Sequence, residues 1–277
     1  MADELSGFLR SAALGGLVDW QSYETAAQLF GVSWPEIERA VLAAGLFPRR
    51  YAAQRRLLGQ EGQQRLLAAR VTVVGCGGLG GWVVEILARA GVGRLRLIDP
   101  DTFDESNLNR QLGATIADLG RPKVEVLAAR VAAVNPVVQV TPLAATFRED
   151  AGDSLLAGST LVIDGLDTVA ARLELGRCCR RLALPLVHGA VEGWYGQAAV
   201  QAPGAALLAA IYPQPAAPAP PAESRPDSLA AVVANVASLQ AALALQAILA
   251  PEDPFPPGWL MLDLREPELE RIVPAAG

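Results

Sequence analysis

Gly75, Gly77 and Gly80 stand in the spacing G-x-G-x-x-G within VVGCGGLGG. Glycines so spaced between a strand and a helix permit a tight turn whose backbone can approach a phosphate. The helix that follows aims its first N–H groups at the anion, so Gly75, Gly77, Gly78, Leu79 and Gly80 form a candidate phosphate turn. Asp99 and Asp101, in LIDPD at the end of the next strand, stand where a nucleotide ribose would be held. A nicotinamide dinucleotide, a flavin and ATP all fit these residues, so the glycines alone leave the ligand open.

The residues downstream add charge. DPDTFDESNLNRQ places Asn107 and Arg110 three apart, on one face if the segment is helical. GRPKVE presents Lys123 at the start of a helix. An arginine and a lysine beside a phosphate turn suit a polyphosphate with concentrated charge better than a dinucleotide pyrophosphate. VIDGLDT ends a further strand with Asp164 and Asp167. A carboxylate there points into the ligand crevice of a parallel sheet and can hold Mg²⁺ against phosphate oxygens. Asp167 also suits the N-cap of the helix after it, and the two roles are compatible. Arg110, Lys123 and Asp167 are the candidate catalytic residues. Asp167 is the candidate magnesium ligand.

The elements that must position these residues alternate. Strand RVTVVG, helix 79–90 and strand RLRLID are followed by helix 122–134 behind Pro122. Strand VVQVTPL, a helix near 149–157 and strand STLVIDG come next. Helix 168–183, strand LPLVHGA and strand GQAAVQAP complete the series. Strand–helix alternation at this spacing predicts an α/β fold, a doubly wound, largely parallel Rossmann-like sheet. WLMLDL and LERIV predict antiparallel strands at the carboxyl end. Residues 213–226 hold six prolines and read as an inserted, mobile or polyproline-like loop. The apolar run 229–250 contains Asn235, Ser238, Gln240 and Gln246, and reads as a buried core helix rather than a membrane span.

Residues 1–48 read as a small helical module, with 49–277 as the nucleotide-binding domain and 49–70 as a basic helical connector. Ser33 is a plausible N-cap, with Pro35 in the first turn and Glu36 three residues on. Ala27, Gly31 and Ile37 fall at helix-turn-helix spacing, but two glutamates in the second helix weigh against DNA binding.

The 277-residue chain has a net charge of −6, a pI near 5.0, 52% hydrophobic and 19% charged residues. A sizeable core is expected, and a general nucleic-acid-binding role is not. Cys76, Cys178 and Cys179 are the only cysteines, and no CxxC occurs. That excludes a four-cysteine zinc site and a disulfide framework within one chain. No secretory signal is visible at the amino end, so a cytoplasmic location is expected.

VVGCGGLGG, LIDPDTFDESNLNRQ, GRPKVE, VIDGLDT and PLVHGAVEGWYGQ occur in that order. On these motifs, from about residue 50 onward, the chain resembles the ThiF/MoeB/HesA adenylyltransferases, bacterial relatives of ubiquitin-activating enzymes. The resemblance implies ATP and Mg²⁺ as cofactors and a ubiquitin-like sulfur carrier ending in Gly-Gly as partner. The carrier carboxylate would attack the α-phosphate and release pyrophosphate. It further implies that the glycines hold phosphate, Asp99 binds ribose, Asn107, Arg110 and Lys123 contact phosphates, and Asp167 ligates magnesium. A homodimer and a role in molybdenum- or tungsten-pterin or thiamine biosynthesis are implied as well, with no nucleic acid and no membrane as partner.

The chain departs from the family pattern in three places. RYAAQRR matches the family's RYxRQ at Arg50, Tyr51 and Gln54, but Ala53 stands where an arginine reaches a partner subunit's ATP. Arg55 or Arg56 replaces it, or both are solvated helix charges. The family's paired CxxC zinc ligands are missing, so no zinc is expected. The crossover loop has no cysteine, so adenylation without a thioester is expected, with Cys178 and Cys179 as buried packing residues. His188 reads as a hydrogen-bonded structural histidine near the carrier-tail groove, which Glu192, Trp194 and Tyr195 would shape. Two other readings stay open: a nicotinamide-dependent oxidoreductase, and a carrier-binding protein without activity. A branch of the family acting on transfer-RNA threonylcarbamoyl-adenosine ranks lower, because this chain is acidic.

Overall fold

The structure is a computed structural model that describes residues 1–213, 227–253 and 255–273. The proline-rich segment expected as a loop over 213–226 lies outside the described residues, apart from Pro213. The chain opens with α1 (Ala2–Ala12), β1 (Leu17–Val18), α2 (Trp20–Phe30), α3 (Trp34–Ala43) and β2 (Phe47–Pro48). Asp19 caps α2 by accepting from the Ser22 amide at 2.9 Å. Gly31 ends it at φ 63°, the left-handed conformation that glycine adopts freely. The Glu36 carboxylate accepts from the Ser33 amide at 2.8 Å, which fixes the start of α3 where the sequence placed it. β1 and β2 pair in parallel. Two-residue strands are too short to leave a period in the sequence, and they were not anticipated.

Residues 49–70 are not the continuous helix expected of a connector. A 3-10 segment at 49–54 leads into α4 (Arg55–Ala68), which breaks at Gly59 (φ 63°). The first three helices also do not stand apart. Leu5, Leu9, Tyr23, Ala26, Ile37 and Val41 share a hydrophobic cluster with Val137, which lies just beyond the helix over 123–134. Arg50 locks the contact. Its guanidinium lies 4.8 Å from the Tyr23 ring centroid and 4.7 Å from that of Tyr51, and it donates to the Glu38 carboxylate, which is 1% exposed. Burial opposes the Arg50 charge, and Glu38, Tyr51 and Tyr23 together more than offset this, holding the guanidinium protonated. Tyr51 accepts from Asn135 Nδ2 at 2.6 Å, and burial pushes its hydroxyl up to about 12.

The α/β part follows: β3 (Arg70–Val74), α5 (Gly78–Ala90), β4 (Arg94–Ile98), α6 (Lys123–Val134), β5 (Gln139–Leu143), α7 (Gly152–Leu156), β6 (Leu161–Asp164), α8 (Val169–Arg181) and β7 (Leu186–Glu192). Then come β8 (Tyr195–Gln201), α9 (Leu207–Ile211), α10 (Ala230–Leu249), β9 (Trp259–Asp263) and β10 (Glu268–Ile272). The eight strands lie in the order β10-β9-β8-β7-β6-β3-β4-β5, parallel from β7 to β5 and antiparallel from β8 outward. Val71, Val73, Leu95 and Leu97 pack on one face against α5, α6 and α10. Val74, Ile98 and Val162 pack on the other with α7 and α8. Strands covered on both faces read as near-continuous apolar runs, as the LVI of β6 does.

Helix α10 is long and apolar enough to cross a membrane by length and composition. It packs on the sheet instead, burying Val232, Val233, Val236 and Ala237 in the main core. Its polar Gln240 is also buried, and donates to the Asp164 carbonyl at 2.9 Å. The helix expected near 149–157 is a 3-10 turn at 149–151 followed by the single-turn α7.

Candidate nucleotide-binding site

The chain runs outward from β3 through β4 to β5 and then returns to the other side of β3 with β6. The gap between the carboxyl ends of β3 and β6 is therefore the topological switch point, where open α/β sheets bind ligands. Gly75 (φ 88°) and Gly165 close this gap backbone to backbone. A Cβ on Gly75 would meet the Gly165 carbonyl carbon at 2.5 Å, and one on Gly80 would meet the Gly75 oxygen at 1.9 Å. Gly77 is the N-cap of α5, and the Gly81 amide is bonded back to its carbonyl at 3.0 Å. The amides of Gly78, Leu79 and Gly80 precede that bond and have no acceptor within the helix. Together they form an anion cradle at the start of a 13-residue helix.

Asp99 ties the cradle to the next strand. Its Oδ2 accepts from the Cys76 amide at 2.6 Å and its Oδ1 from the Asp101 amide at 2.8 Å. Burial raises its pKa, while these two amides and Lys123 pull the other way. Each carboxylate oxygen keeps a further lone pair for a ligand hydroxyl. Lys123 stands at the first position of α6, behind Pro122, with its side chain 7% exposed and its Nζ 3.0 Å from Asp101 Oδ2. Cys76, Asp99, Asp101 and Lys123 thus form one bonded series along the cradle's edge.

The segment 105–111 lies over the start of α5. Glu105–Asn107 is a 3-10 turn, and Trp82 Nε1 donates to the Arg110 carbonyl at 3.3 Å. The expected shared face of Asn107 and Arg110 resolves into two local roles. Asn107 Oδ1 accepts from the Asp104 amide at 3.1 Å, capping the turn. The Arg110 guanidinium donates to the Ser106 carbonyl at 2.9 Å and to Asn109 Oδ1 at 2.8 Å, so it rests on its own loop. Gln111, unnoticed in the sequence, is buried against Gly77, and its Oε1 has no protein partner. Only the Arg110-Gln111 adjacency in NRQ hinted at it.

Asp167 lies exposed in the loop between β6 and α8. It is not the helix cap. Thr168 is, accepting from the Ala171 amide at 3.4 Å. Among the described residues no three of His, Cys, Asp and Glu gather closely enough to hold a metal alone. A cation beside Asp167 would complete its shell with phosphate oxygens and water, the usual arrangement for Mg²⁺.

Asp164 points elsewhere. It is fully buried, its Oδ2 lies 2.7 Å from His188 Nδ1, and its Oδ1 accepts from the Leu166 amide at 3.0 Å. On the far side of the imidazole, Tyr212 Oη lies 3.2 Å and Gln197 Nε2 3.3 Å from Nε2. Arg172 joins Tyr212, at 3.2 Å, to the Leu166 carbonyl, at 2.8 Å. Burial lowers the His188 pKa against the pull of Asp164, so the ring is neutral near neutral pH. His188 is therefore the hydrogen-bonded structural histidine expected, with a partner the sequence did not reveal.

Trp194 and Tyr195 are exposed at the β7–β8 turn. Arg55 and Arg56 are both exposed, and Arg55 donates to the Gly15 carbonyl at 3.2 Å. Cys76, Cys178 and Cys179 are buried free thiols.

The sequence profile of the ThiF family matches residues 51–276. The SAMP-activating enzyme E1 of Haloferax volcanii is 38% identical over 197 residues, covering 69% of this chain and 72% of that protein. The sulfur carrier protein adenylyltransferase of Thermus thermophilus is 34% identical over 222 residues, covering 78% of this chain and 82% of that one. Among solved structures, the tRNA N6-threonylcarbamoyladenosine dehydratase of E. coli in complex with ATP superposes with a TM-score of 0.63 at 28% identity. That match covers 74% of this chain and 95% of the other.

Proposed function

The chain belongs to the ThiF family and is an adenylyltransferase of the ThiF/MoeB type, and from that premise we propose that it adenylates a ubiquitin-like sulfur carrier ending in Gly-Gly. The observation that carries this reading is the cradle at the switch point, with Lys123 buried at its edge and Asp167 on the loop beside it. The similarity to an ATP-bound dehydratase and to a sulfur carrier protein adenylyltransferase supports ATP as ligand and a sulfur carrier as partner.

In this reading the amides of Gly78, Leu79 and Gly80 donate to phosphate oxygens. Asp99 and Asp101 accept from the ribose hydroxyls, and Gln111 Oε1 takes a ligand donor. Lys123 exchanges its contact with Asp101 for one to the departing phosphates, and Arg110 swings from its own loop to join it. Asn107 holds the turn that carries Arg110. Bound Mg²⁺, with Asp167 as one ligand, would neutralise phosphate charge. The carrier carboxylate oxygen forms a bond to the α-phosphorus while the bond to the bridging oxygen breaks, and pyrophosphate leaves with that electron pair. Such a reaction needs positioning and cationic neutralisation more than covalent chemistry from the protein. With no cysteine in the crossover sequence, the acyl-adenylate would pass to a separate sulfur donor. We take the assembly to be a homodimer in which Arg56 reaches the partner's ATP, and the pathway to be molybdenum- or tungsten-pterin or thiamine biosynthesis.

A nicotinamide-dependent oxidoreductase leaves Lys123, Arg110 and Asp167 without a joint role, and the relatives argue against it. The test is ATP–pyrophosphate exchange stimulated by a carrier ending in Gly-Gly, run beside quenching of NADH fluorescence. Exchange without quenching supports the proposal. Quenching without exchange sinks it.

A further inference from the structure

The parallel sheet has a second end, and its chemistry is unlike that of the rest of the chain. Arg70 on β3 is paired directly with Arg94 on β4, and Thr72 with Arg96. Side chains two apart share a face, so all four project to the same side of the sheet. That side is covered by α7 and α8 at its carboxyl half, where Val74 and Ile98 are buried. Its amino half is open. There Arg70, Thr72, Arg94, Arg96, Thr141 and Ser159 line a cleft of about 170 Å³.

Like charges on directly neighbouring strands repel, and ordinarily a carboxylate would be placed between them. None is. Among the described residues no carboxylate lies within 4 Å of any of these three guanidiniums, although the chain carries six more acids than bases. Two of the three are held by hydrogen bonds. Arg96 donates to the Leu155 carbonyl at 2.7 Å and the Ala157 carbonyl at 3.0 Å. Arg94 donates to Gln139 Oε1 at 3.1 Å. The Arg70 guanidinium lies beside Gly158, where a Cβ would make ordinary contact with Nη1 at 3.6 Å. Thr72 and Ser159 bring their hydroxyls to 2.7 Å of each other beside it.

Three guanidiniums and three hydroxyls with no acid among them make a wall dominated by donors. A phosphate group, with three or more acceptor oxygens and concentrated charge, matches that set, and guanidinium binds it bidentately. The space is smaller than the ~300–1,000 Å³ of pockets that enclose drug-sized ligands, which suits one phosphate group and excludes a nucleotide. We propose that the cleft at the amino ends of β3 and β4 binds inorganic phosphate or a small phosphomonoester, separately from the nucleotide cradle. The five residues of β3 separate the two sites by about 13 Å at ~3.3 Å per residue, so both fill at once.

The experiment titrates inorganic phosphate, and in a second arm glycerol phosphate, into the full chain with ATP saturating and ionic strength constant. Amide NMR is the readout. The expected result is a saturable shift of the Gly158 and Ser159 resonances. The double variant Arg70→Gln/Arg94→Gln should weaken it about tenfold or more and leave ATP affinity unchanged. Both side chains are exposed, so the variant should fold, which the unchanged ATP affinity verifies. Tighter binding in the glycerol phosphate arm would identify a phosphomonoester as the ligand, and tighter binding of phosphate the free anion. Non-saturating shifts, an unaltered titration in the double variant, or shifts confined to Gly78–Gly80 would overturn the proposal.

Discussion

Asp164 and His188 share a hydrogen bond of 2.7 Å with neither side chain exposed to solvent, because β6 and β7 pair them directly although they are 24 residues apart in sequence. The bond joins the floor of the nucleotide crevice to the segment entering the crossover, through Tyr212, Gln197 and Arg172. Burial lowers the His188 pKa, so the native state resists the proton that the unfolded chain accepts near pH ~6.5. The unfolded state therefore binds more protons as pH falls below that value, and stability is lost there. Above it the group contributes no slope. Urea unfolding should show stability falling as pH drops below about 6.5, by up to about 1.4 kcal/mol per pH unit from this group. His188→Asn should flatten that part of the profile. An unchanged slope in the variant would assign the acid sensitivity elsewhere.

Glu38 and Arg50 make an ion pair, the carboxylate buried and the guanidinium partly so, ringed by Trp20, Tyr23 and Tyr51. Removing one partner strands the other charge, so Glu38→Gln and Arg50→Met should each cost about 3–5 kcal/mol in chemical denaturation. The pair Glu38→Leu/Arg50→Met should cost less than either alone, because no buried charge is left. Additive losses in the double variant would contradict this account of the interface.

The three cysteines should be silent. Burial raises the thiol pKa at Cys76, Cys178 and Cys179, the last to about 12, so little reactive thiolate forms at neutral pH. A maleimide should leave the native chain unmodified and add three labels once it is unfolded. Cys76→Ala should retain adenylation, since the residue lends its backbone amide to Asp99 and its thiol to nothing. Rapid native labelling of any cysteine would reopen the thioester route.

Arg55 and Arg56 should separate cleanly. Arg55 is bonded to Gly15 and packs on Gly16, so Arg55→Ala should lower thermal stability slightly and spare catalysis. Both side chains are exposed, but only Arg55 is tied to the amino-terminal turn, and Arg56→Ala should slow pyrophosphate exchange roughly a hundredfold. Mixing it with a Lys123→Ala chain should restore part of the rate if the arginine acts across subunits. Full activity of Arg56→Ala would remove this residue from the site.

Much of this arrangement was legible in the sequence, for a physical reason. Gly75, Gly77 and Gly80, Asp99 and Lys123 are placed by backbone geometry within single strand–turn–helix units, and local spacing encodes that placement. The doubly wound sheet follows from the same alternation. What stayed hidden depends on contacts between distant segments. Asp164 could be placed at a strand end, but its partner His188 follows from strand order, which no period records. Arg50 looked like half of a family signature, and its cage of aromatic rings comes from α2 and the 49–54 turn meeting in space. The type of Arg110 suggests a phosphate ligand, whereas in this conformation its guanidinium is engaged by Ser106 and Asn109. The arginines of β3 and β4 read as strand residues, and only the pairing register sets Arg70 beside Arg94.

The central claim is that the cradle and Lys123 serve transfer of AMP to a peptide carboxylate. It is tested most directly by intact-mass measurement of a recombinant ubiquitin-like sulfur carrier incubated with the enzyme, ATP and magnesium. The account predicts a carrier heavier by one AMP when its Gly-Gly terminus is free. No adduct should form when that terminus is extended by one residue. With Lys123→Ala the adduct should fall by at least about a hundredfold while the chain stays folded. An unmodified carrier with the wild-type enzyme, or full transfer by Lys123→Ala, would contradict it.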